Sequence, residues 1–195
     1  MKDGETMVRK VTIEISYPEI GICGLSCRLC PMYHTDGISK CKGCKSQNRI
    51  AVGCPFITCA VKKKGVEFCW DCNDSGQCEK WKKHRDFSRK VDSFKCYQKL
   101  EDDIGFILAN GIEDFEKEQL YREQLLTEML NEFNEGRSKS YYCIAATVLK
   151  IDELQEALKQ AKEGSTGLTI KEKFKLLHSN IDEIAKKNYY IKLRK

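Results

Sequence analysis

The C-terminal half of the chain carries apolar residues at helical spacing. The four stripes are Phe94, Tyr97, Leu100, Ile104 and Ile107 or Leu108, closed by Asn110-Gly111; Ile112, Phe115, Leu126, Met129, Leu130 and Phe133, ending at Gly136; Ile144, Val148, Ile151, Leu154, Leu158 and Ala161, ending at Gly164; and Ile170, Phe174, Leu177, Ile181 and Ile184. Thr169 and Glu172 form a capping-box pattern before the last stripe. The pattern predicts four amphipathic helices joined by short loops, a small helical bundle.

Both ends of the sequence alternate between apolar and polar residues, as half-buried strands do. The apolar positions are Val11, Ile13 and Ile15 near the start, and Tyr189, Ile191 and Leu193 near the end. Because strands need partners, we predict that the two ends pair with each other or with a short strand at Val66-Phe68.

Cysteines divide the chain into two parts. Ten of the twelve cysteines lie in the 56 residues from Cys23 to Cys78, a stretch without a long helical period and with glycines and prolines in turn contexts. The sequence therefore predicts an α-rich fold with a small irregular metal-stapled module, short β segments at the two termini and a helical bundle in the C-terminal half. The expected domains are residues 1–90 and 91–195.

The cellular compartment determines whether so many cysteines are expected to form disulfides or to bind metal. The first five residues lack an apolar signal core and the longest apolar runs are too short to cross a bilayer, so we expect a soluble cytoplasmic protein without membrane association. Cytosolic thiols are kept reduced, which favours metal binding or catalysis over disulfides. The cytosol of hyperthermophiles is an exception, and a content of 32% charged residues is compatible with a hyperthermophile protein. Disulfides therefore remain an alternative explanation of the cysteines.

The cysteine spacing is typical of thiolate metal sites. Three Cys-x-x-Cys pairs occur, and in one of them Gly43 relieves the tight turn so that backbone N–H groups can point at sulfur. The candidate ligands are Cys23, Cys27, Cys30, Cys41, Cys44, Cys54, Cys59, Cys69, Cys72 and Cys78. Two tetrahedral zinc sites use eight, which leaves two spare unless a thiolate bridges or His34 replaces a sulfur. The preferred grouping joins Cys41 and Cys44 with two of Cys23, Cys27 and Cys30, and Cys69 and Cys72 with two of Cys54, Cys59 and Cys78.

An iron–sulfur cluster is the alternative cofactor. Cys23-x-x-x-Cys27-x-x-Cys30 has the spacing that radical S-adenosylmethionine enzymes use, and Pro31 and Pro55 follow cysteines as in ferredoxins. The helical pattern downstream lacks the repeated strands and helices of the barrel that radical chemistry needs. Ligand softness and the tight cysteine pairs favour zinc, at about two ions for each chain.

The order of the ten cysteines also resembles a known family. The segments are Cys23-Gly24-Leu25-Ser26-Cys27-Arg28-Leu29-Cys30-Pro31-Met32-Tyr33, Cys41-Lys42-Gly43-Cys44, Cys54, Cys59-Ala60, Gly65-Val66-Glu67-Phe68-Cys69-x-x-Cys72 and Gln77-Cys78-Glu79. They are similar, over about residues 17–90, to a widespread prokaryotic family of unknown function that is predicted to bind zinc. The resemblance implies metal binding through those ten positions in a bacterial or archaeal cytosol, and it brings no established activity.

Charge suggests a class of partner. Residues 23–99 contain 16 lysines and arginines against 7 acidic residues, formally +9, while the whole chain is +5. A basic surface favours nucleic acid, but two sites of four thiolates would lower the segment's charge to about +5, and its lysines then become a solvated face. The partner is predicted to be a macromolecule, protein or nucleic acid.

Two classes of function follow. The first is a non-catalytic zinc-stabilised module that supports a macromolecular-interaction surface, and the second is an iron–sulfur or reactive-cysteine enzyme for redox or sulfur chemistry. Cys143 is the candidate catalytic thiol because it lies near the predicted start of a helix and close to cations; otherwise it is a small core residue. Cys96, Trp70 and Trp81 are interpreted as packing residues. The sequence leaves open whether the protein is an enzyme.

Overall fold

The computed structural model describes residues 13–90 and 99–188 of the chain, and helices dominate it. Within these ranges 64% of the residues are helical, in eight α-helices and shorter turns, and no strand occurs. The isolated antiparallel bridge between Ile20 and Ser26 is the extended pairing found there. The α-rich part of the predicted fold class is therefore confirmed.

Short helical segments separated by loops form the cysteine-rich segment, residues 23–78. They are the 3-10 helix Cys27–Leu29, α1 (Gln47–Val52), α2 (Pro55–Ile57), a π-helix that continues α2 over Thr58–Lys64, and the 3-10 helix Ser75–Gln77. Helix α3, Glu79–Lys90, follows directly. Pro55 starts α2, and the first residue of a helix does not need its backbone N–H for an intrahelical hydrogen bond.

Five longer helices make up the rest of the described chain. They are α4 (Leu100–Asn110), α5 (Ile112–Glu132), α6 (Lys139–Val148), α7 (Ile151–Glu163) and α8 (Ile170–Asn188). The capping pattern holds at α8, where the Thr169 backbone N–H donates to a Glu172 carboxylate oxygen at 2.8 Å. No helix in the described ranges is long and apolar enough to reach across a membrane.

The third predicted helix is two helices in the structure. The chain turns extended at Leu149 and Lys150, whose ψ angles are 155° and 152°, so α6 ends before α7 begins. Arg122 of α5 stabilises this break, because its Nη1 donates to the carbonyls of Ala146 and Leu149 at 2.8 Å each. The prediction of one helix was wrong. The spacing of apolar residues reports only the local pattern, and it does not reveal that Arg122 from another helix takes the role of partner for carbonyls at a helix end.

The predicted strands find no support in the described residues. Residues 13–16 and 66–68 form no strand, and Val11 and the alternating residues 189–193 lie outside the described ranges. The two stretches still meet, because the Glu67 carboxylate accepts the backbone N–H groups of Ser16 and Tyr17 at 3.0 and 2.9 Å. A side chain thus takes the place of a partner strand.

Helices α5 to α8 enclose the main hydrophobic core. Its largest fully buried side chains include Leu126, Met129, Phe133, Tyr142 and Leu177. Leu29 of the cysteine-rich segment belongs to the same core and is only 4% exposed. The main core is therefore shared between the two halves of the chain.

Helix α4 packs closely on the loop that follows Cys23. Gly24 has φ +104°, and a Cβ there would lie 3.1 Å from the Ile104 side chain and 3.2 Å from that of Leu100. Trp81 of α3 is buried against the same two residues. Hydrophobic contacts thus cross the predicted domain boundary at residue 90 in a second place.

An ion-pair cluster fastens the cysteine-rich segment to α5. Arg28 lies 2.8 Å from Glu123, 3.3 Å from Glu116 and 3.5 Å from Glu19, and its side chain is mostly buried. Removing one partner from such a half-buried group costs more than breaking an exposed pair, because the remaining charges keep their desolvation penalty.

We expect Glu101→Gln to destabilise the protein in a pH-dependent way. The Glu101 carboxylate accepts two hydrogen bonds from Arg85 and one from Arg89 at 2.6 to 2.7 Å, which joins α3 to α4. The Arg85 hydrogen bonds lower the pKa of Glu101 from 4.5 to about 2. Its stabilising contribution is therefore complete above pH 4.5 and is lost as the pH falls towards 2.

Urea unfolding at pH 7 should show a loss of about 1 kcal/mol for Glu101→Gln, since the arginines are partly exposed. The matched control is Asp102→Asn, which removes an exposed carboxylate from the same helix and should change stability by less than about 0.5 kcal/mol. A Glu101→Gln effect that stays constant down to low pH would contradict this assignment.

Candidate functional site

Loops and helix ends carry all ten cysteines of the cysteine-rich segment. Cys27 opens a 3-10 helix, Cys54 precedes α2, Cys59 lies in the π-helix and Cys78 precedes α3. The others lie in the connecting loops. None of the ten forms a disulfide. Cys96 lies outside the described residues.

One group of thiols centres on Cys27 and Cys44. The Cys44 backbone N–H donates to the Cys27 sulfur at 3.5 Å, and the two side chains are hydrogen-bonded to each other. That bond raises the pKa of the Cys27 thiol and lowers the pKa of Cys44, which Arg49 and Lys45 lower further. Cys30 is close enough to Cys27 to raise its pKa as well. The Cys41 N–H donates to the Met32 carbonyl at 2.9 Å, which holds Cys41 beside the chain that follows Cys30.

The second group surrounds Cys69. Burial raises the pKa of Cys69 to about 12, and the neighbouring thiols of Cys23, Cys78, Cys59 and Cys72 raise it further. Close to this group, the Ile57 N–H donates to the Cys54 sulfur at 3.3 Å. An N–H group directed at sulfur favours the thiolate, which is the metal-binding form of cysteine.

Cys23 lies between the two groups. Burial raises the pKa of its thiol to about 11, and Cys44 of the first group and Cys54 near the second add to the effect. Cys23 is also among the neighbours of Cys69. Cys23 therefore adjoins both groups, and the division of the ligands between two ions stays a prediction.

The thiols do not form a finished coordination shell. Within residues 13–90 and 99–188, no three side chains of histidine, cysteine, aspartate or glutamate are arranged to hold a metal ion. The residues present therefore provide soft donors, proximity and N–H···S contacts, and the sulfur atoms would have to move closer together to bind an ion. His34 lies 2.5 Å from the Arg28 carbonyl through Nε2, so that ring nitrogen is engaged by backbone.

A buried ion pair supports the loop around Cys44. The Lys45 side chain is fully buried, and its Nζ lies 2.6 Å from Glu67, 3.0 Å from the Tyr17 carbonyl and 3.6 Å from the centre of the Phe68 ring. Burial lowers the pKa of Lys45 to about 8, against the opposing effect of Glu67. The sequence did not reveal this role, because a lysine beside a cysteine pair resembles any surface lysine.

A cavity of about 480 Å³ separates the first group of thiols from the helices. Its polar lining includes Ser26, Asp103, Gln119 and Arg122, and the thiols of Cys23, Cys27, Cys30 and Cys44 line it as well. Burial raises the pKa of Asp103 to about 7, although Lys99 and Arg122 oppose the shift. Sequence analysis missed these polar residues, because Asp103, Gln119 and Arg122 read as the solvated faces of α4 and α5.

The remaining candidates lie in packed surroundings. Cys143 is fully buried in the main core, in the second turn of α6. Trp70 stacks on Phe68 with ring centres 4.4 Å apart, and Trp81 is 5% exposed. The structure therefore places all three inside hydrophobic clusters.

The fold and the site define a helix-rich, cysteine-rich protein. The sequence model of a family described as a protein of unknown function (DUF3795) matches residues 19–83, which contain all ten cysteines of the cysteine-rich segment. The match is consistent with the resemblance inferred from the cysteine order, and it leaves helices α4 to α8 outside. No curated protein and no solved structure matches the chain.

We expect Gly43→Ala to destabilise the protein more than Gly37→Ala. Both glycines have positive φ, +91° and +80°, so both alanines are strained by about 1–2 kcal/mol. Only at position 43 would the added Cβ meet backbone, at 3.2 Å from the Pro18 carbonyl oxygen, and nothing lies within 4 Å at position 37. Urea unfolding should therefore show about 1–3 kcal/mol of additional loss for Gly43→Ala. Equal losses would mean that the loop around Cys44 is free to shift.

Proposed function

We propose that the cysteine-rich segment binds about two zinc ions through its two groups of thiols, and that the ions have a structural role. The proximity of thiols around Cys27 and Cys44 on one side and around Cys69 on the other carries the proposal. It is supported by the absence of disulfides among the described cysteines and by the N–H groups directed at Cys27 and Cys54.

The proposal also accounts for the irregular backbone of the segment. Residues 13–78 contain short helical turns, loops and one isolated bridge, which provide few long-range backbone hydrogen bonds. Segments of this kind depend on a cross-link or a metal for stability. Since Leu29 and Arg28 reach α5, an ion that holds the cysteine loops would also hold the contacts between the two halves of the chain.

Zinc content should follow the two groups. Protein purified without oxygen is expected to contain about two zinc ions, and Cys44→Ser and Cys69→Ser are each expected to lose about one, because each replaces a thiol at the centre of one group. Elemental analysis measures this directly. Cys143→Ala is the matched control, since it removes a buried thiol from the helical core and should retain both ions.

Chelation supplies a second readout. Removing zinc should lower the melting temperature of the whole chain in one transition, because the cysteine loops share cores with the helices. Absence of metal from the wild-type protein would overturn the proposal. Iron with sulfide and an absorption band near 400 nm would replace zinc with the redox alternative.

The interaction surface that this segment supports is a shallow basic groove beside the second group of thiols. Lys63 and Lys80 line the groove together with Cys54 and Cys59, and both lysines are exposed. By contrast, Lys64 pairs with Asp74 and Arg85 with Glu101. No carboxylate of the described ranges lies within ion-pair distance of Lys63 or Lys80, so their charges are available to the phosphates of a nucleic acid.

Single-stranded RNA should bind this groove in a salt-dependent way. The double variant Lys63→Glu and Lys80→Glu is expected to weaken binding about tenfold or more and to reduce the salt slope by about two, as measured by fluorescence polarisation. The control exchanges two exposed lysines on α7 and α8, Lys159→Glu and Lys175→Glu. Binding of polyglutamate in place of RNA, or equal weakening by the control, would contradict a nucleic-acid partner.

A further inference from the structure

The cavity between the first group of thiols and helices α4 to α6 contains polar groups that the protein itself leaves without partners. Gln119 lines the cavity and is only 4% exposed, yet its carboxamide makes no hydrogen bond to any described residue. The Ser26 hydroxyl is likewise buried without a hydrogen-bond partner within those residues. Buried polar groups are normally paired, so such groups around one cavity indicate a bound polar molecule.

Two opposite charges face the same cavity without touching. Asp103 of α4 and Arg122 of α5 are close enough to influence each other electrostatically, but no ion pair within 4.0 Å joins them among the described residues. Asp103 has no hydrogen bond there either. Arg122 uses Nε for Glu118 and Nη1 for two carbonyls, which leaves Nη2 without a partner in the described ranges. A molecule with a donor at one end and an acceptor at the other would bridge this gap.

Apolar side chains form a further part of the lining, beside Lys99, Asp102, Glu118, Thr147 and the four thiols. Leu25, Leu29, Phe106 and Phe115 contribute side chains to the wall, and the volume of about 480 Å³ lies within the usual range for small-molecule sites. An occupant therefore needs an apolar body as well as its two polar ends. A bare inorganic anion fits the cavity poorly, because it would neither fill the volume nor contact the apolar side chains.

We propose that this cavity binds a small zwitterion of the α-amino-acid class, with its ammonium group at Asp103, its carboxylate at Arg122 and an apolar side chain against Phe106 and Phe115. Gln119 and Ser26 lie in the same lining and supply further hydrogen bonds. The site adjoins the proposed zinc ligands, because Cys23, Cys27, Cys30 and Cys44 line the same cavity, but none of its recognition groups is a thiol.

The test uses three probes that differ in one charge each. Isothermal titration calorimetry of the full-length protein with L-phenylalanine should show saturable binding. Phenethylamine lacks the carboxylate and 3-phenylpropanoate lacks the amine, so each should bind about tenfold or more weakly. Equal binding of L-phenylalanine and either analogue would overturn recognition of both charges, and so would no binding of L-phenylalanine.

Variants connect the binding to the named residues. Asp103→Asn and Gln119→Met should each weaken L-phenylalanine binding about tenfold or more, and neither should reduce the melting temperature at pH 8, since each side chain lines the cavity without a hydrogen bond or ion pair in the described ranges. Asp114→Asn, which removes an exposed carboxylate from α5 outside the cavity, should bind like the wild type. Wild-type affinity in both cavity variants would overturn the assignment. Zinc content measured on the same samples shows whether a loss of binding is independent of the metal.

Discussion

The packing of the loop 23–30 against helices α4 and α5 is the contact on which the rest of the structure depends. Gly24 allows the backbone to approach Leu100 and Ile104, Leu29 enters the helical core, and Arg28 pairs with carboxylates of α5. The same loop carries Cys23, Cys27 and Cys30. The thiols of this loop are therefore connected to the helices through direct side-chain and backbone contacts.

Charged side chains that are shielded from solvent differ in whether the protein supplies them with partners. Lys45 is buried but has Glu67, the Tyr17 carbonyl and the Phe68 ring as partners, so its burial fixes the fold around Cys44. Asp103 is half-buried without a hydrogen bond from the described residues, and desolvation raises the pKa of its carboxyl. The contrast distinguishes a charge that has partners within the protein from one that would find its partner in the proposed ligand.

The two proposed sites thus lie side by side along one loop. On the side of the loops, thiols gather in two groups without forming a coordination shell in the described ranges. On the side of the helices, a cavity exposes polar groups beside the first of these groups. The proposed zinc ions would hold the shared wall in place, which gives a cysteine-rich segment of unknown function a physical connection to the helices outside the family match.

The sequence by itself determined most of the helical half and the place where the cysteines are concentrated. Apolar spacing located α4, α5 and α8, because periodicity reports directly which face is buried, and the crowding of ten cysteines marked the cysteine-rich segment. Only the tertiary structure decided the break between α6 and α7 and the polar cavity, since Arg122, Gln119 and Asp103 look like surface residues until another element covers them. Whether a polar side chain is buried depends on residues that are distant in the sequence, and the local spacing of apolar and polar residues does not identify them.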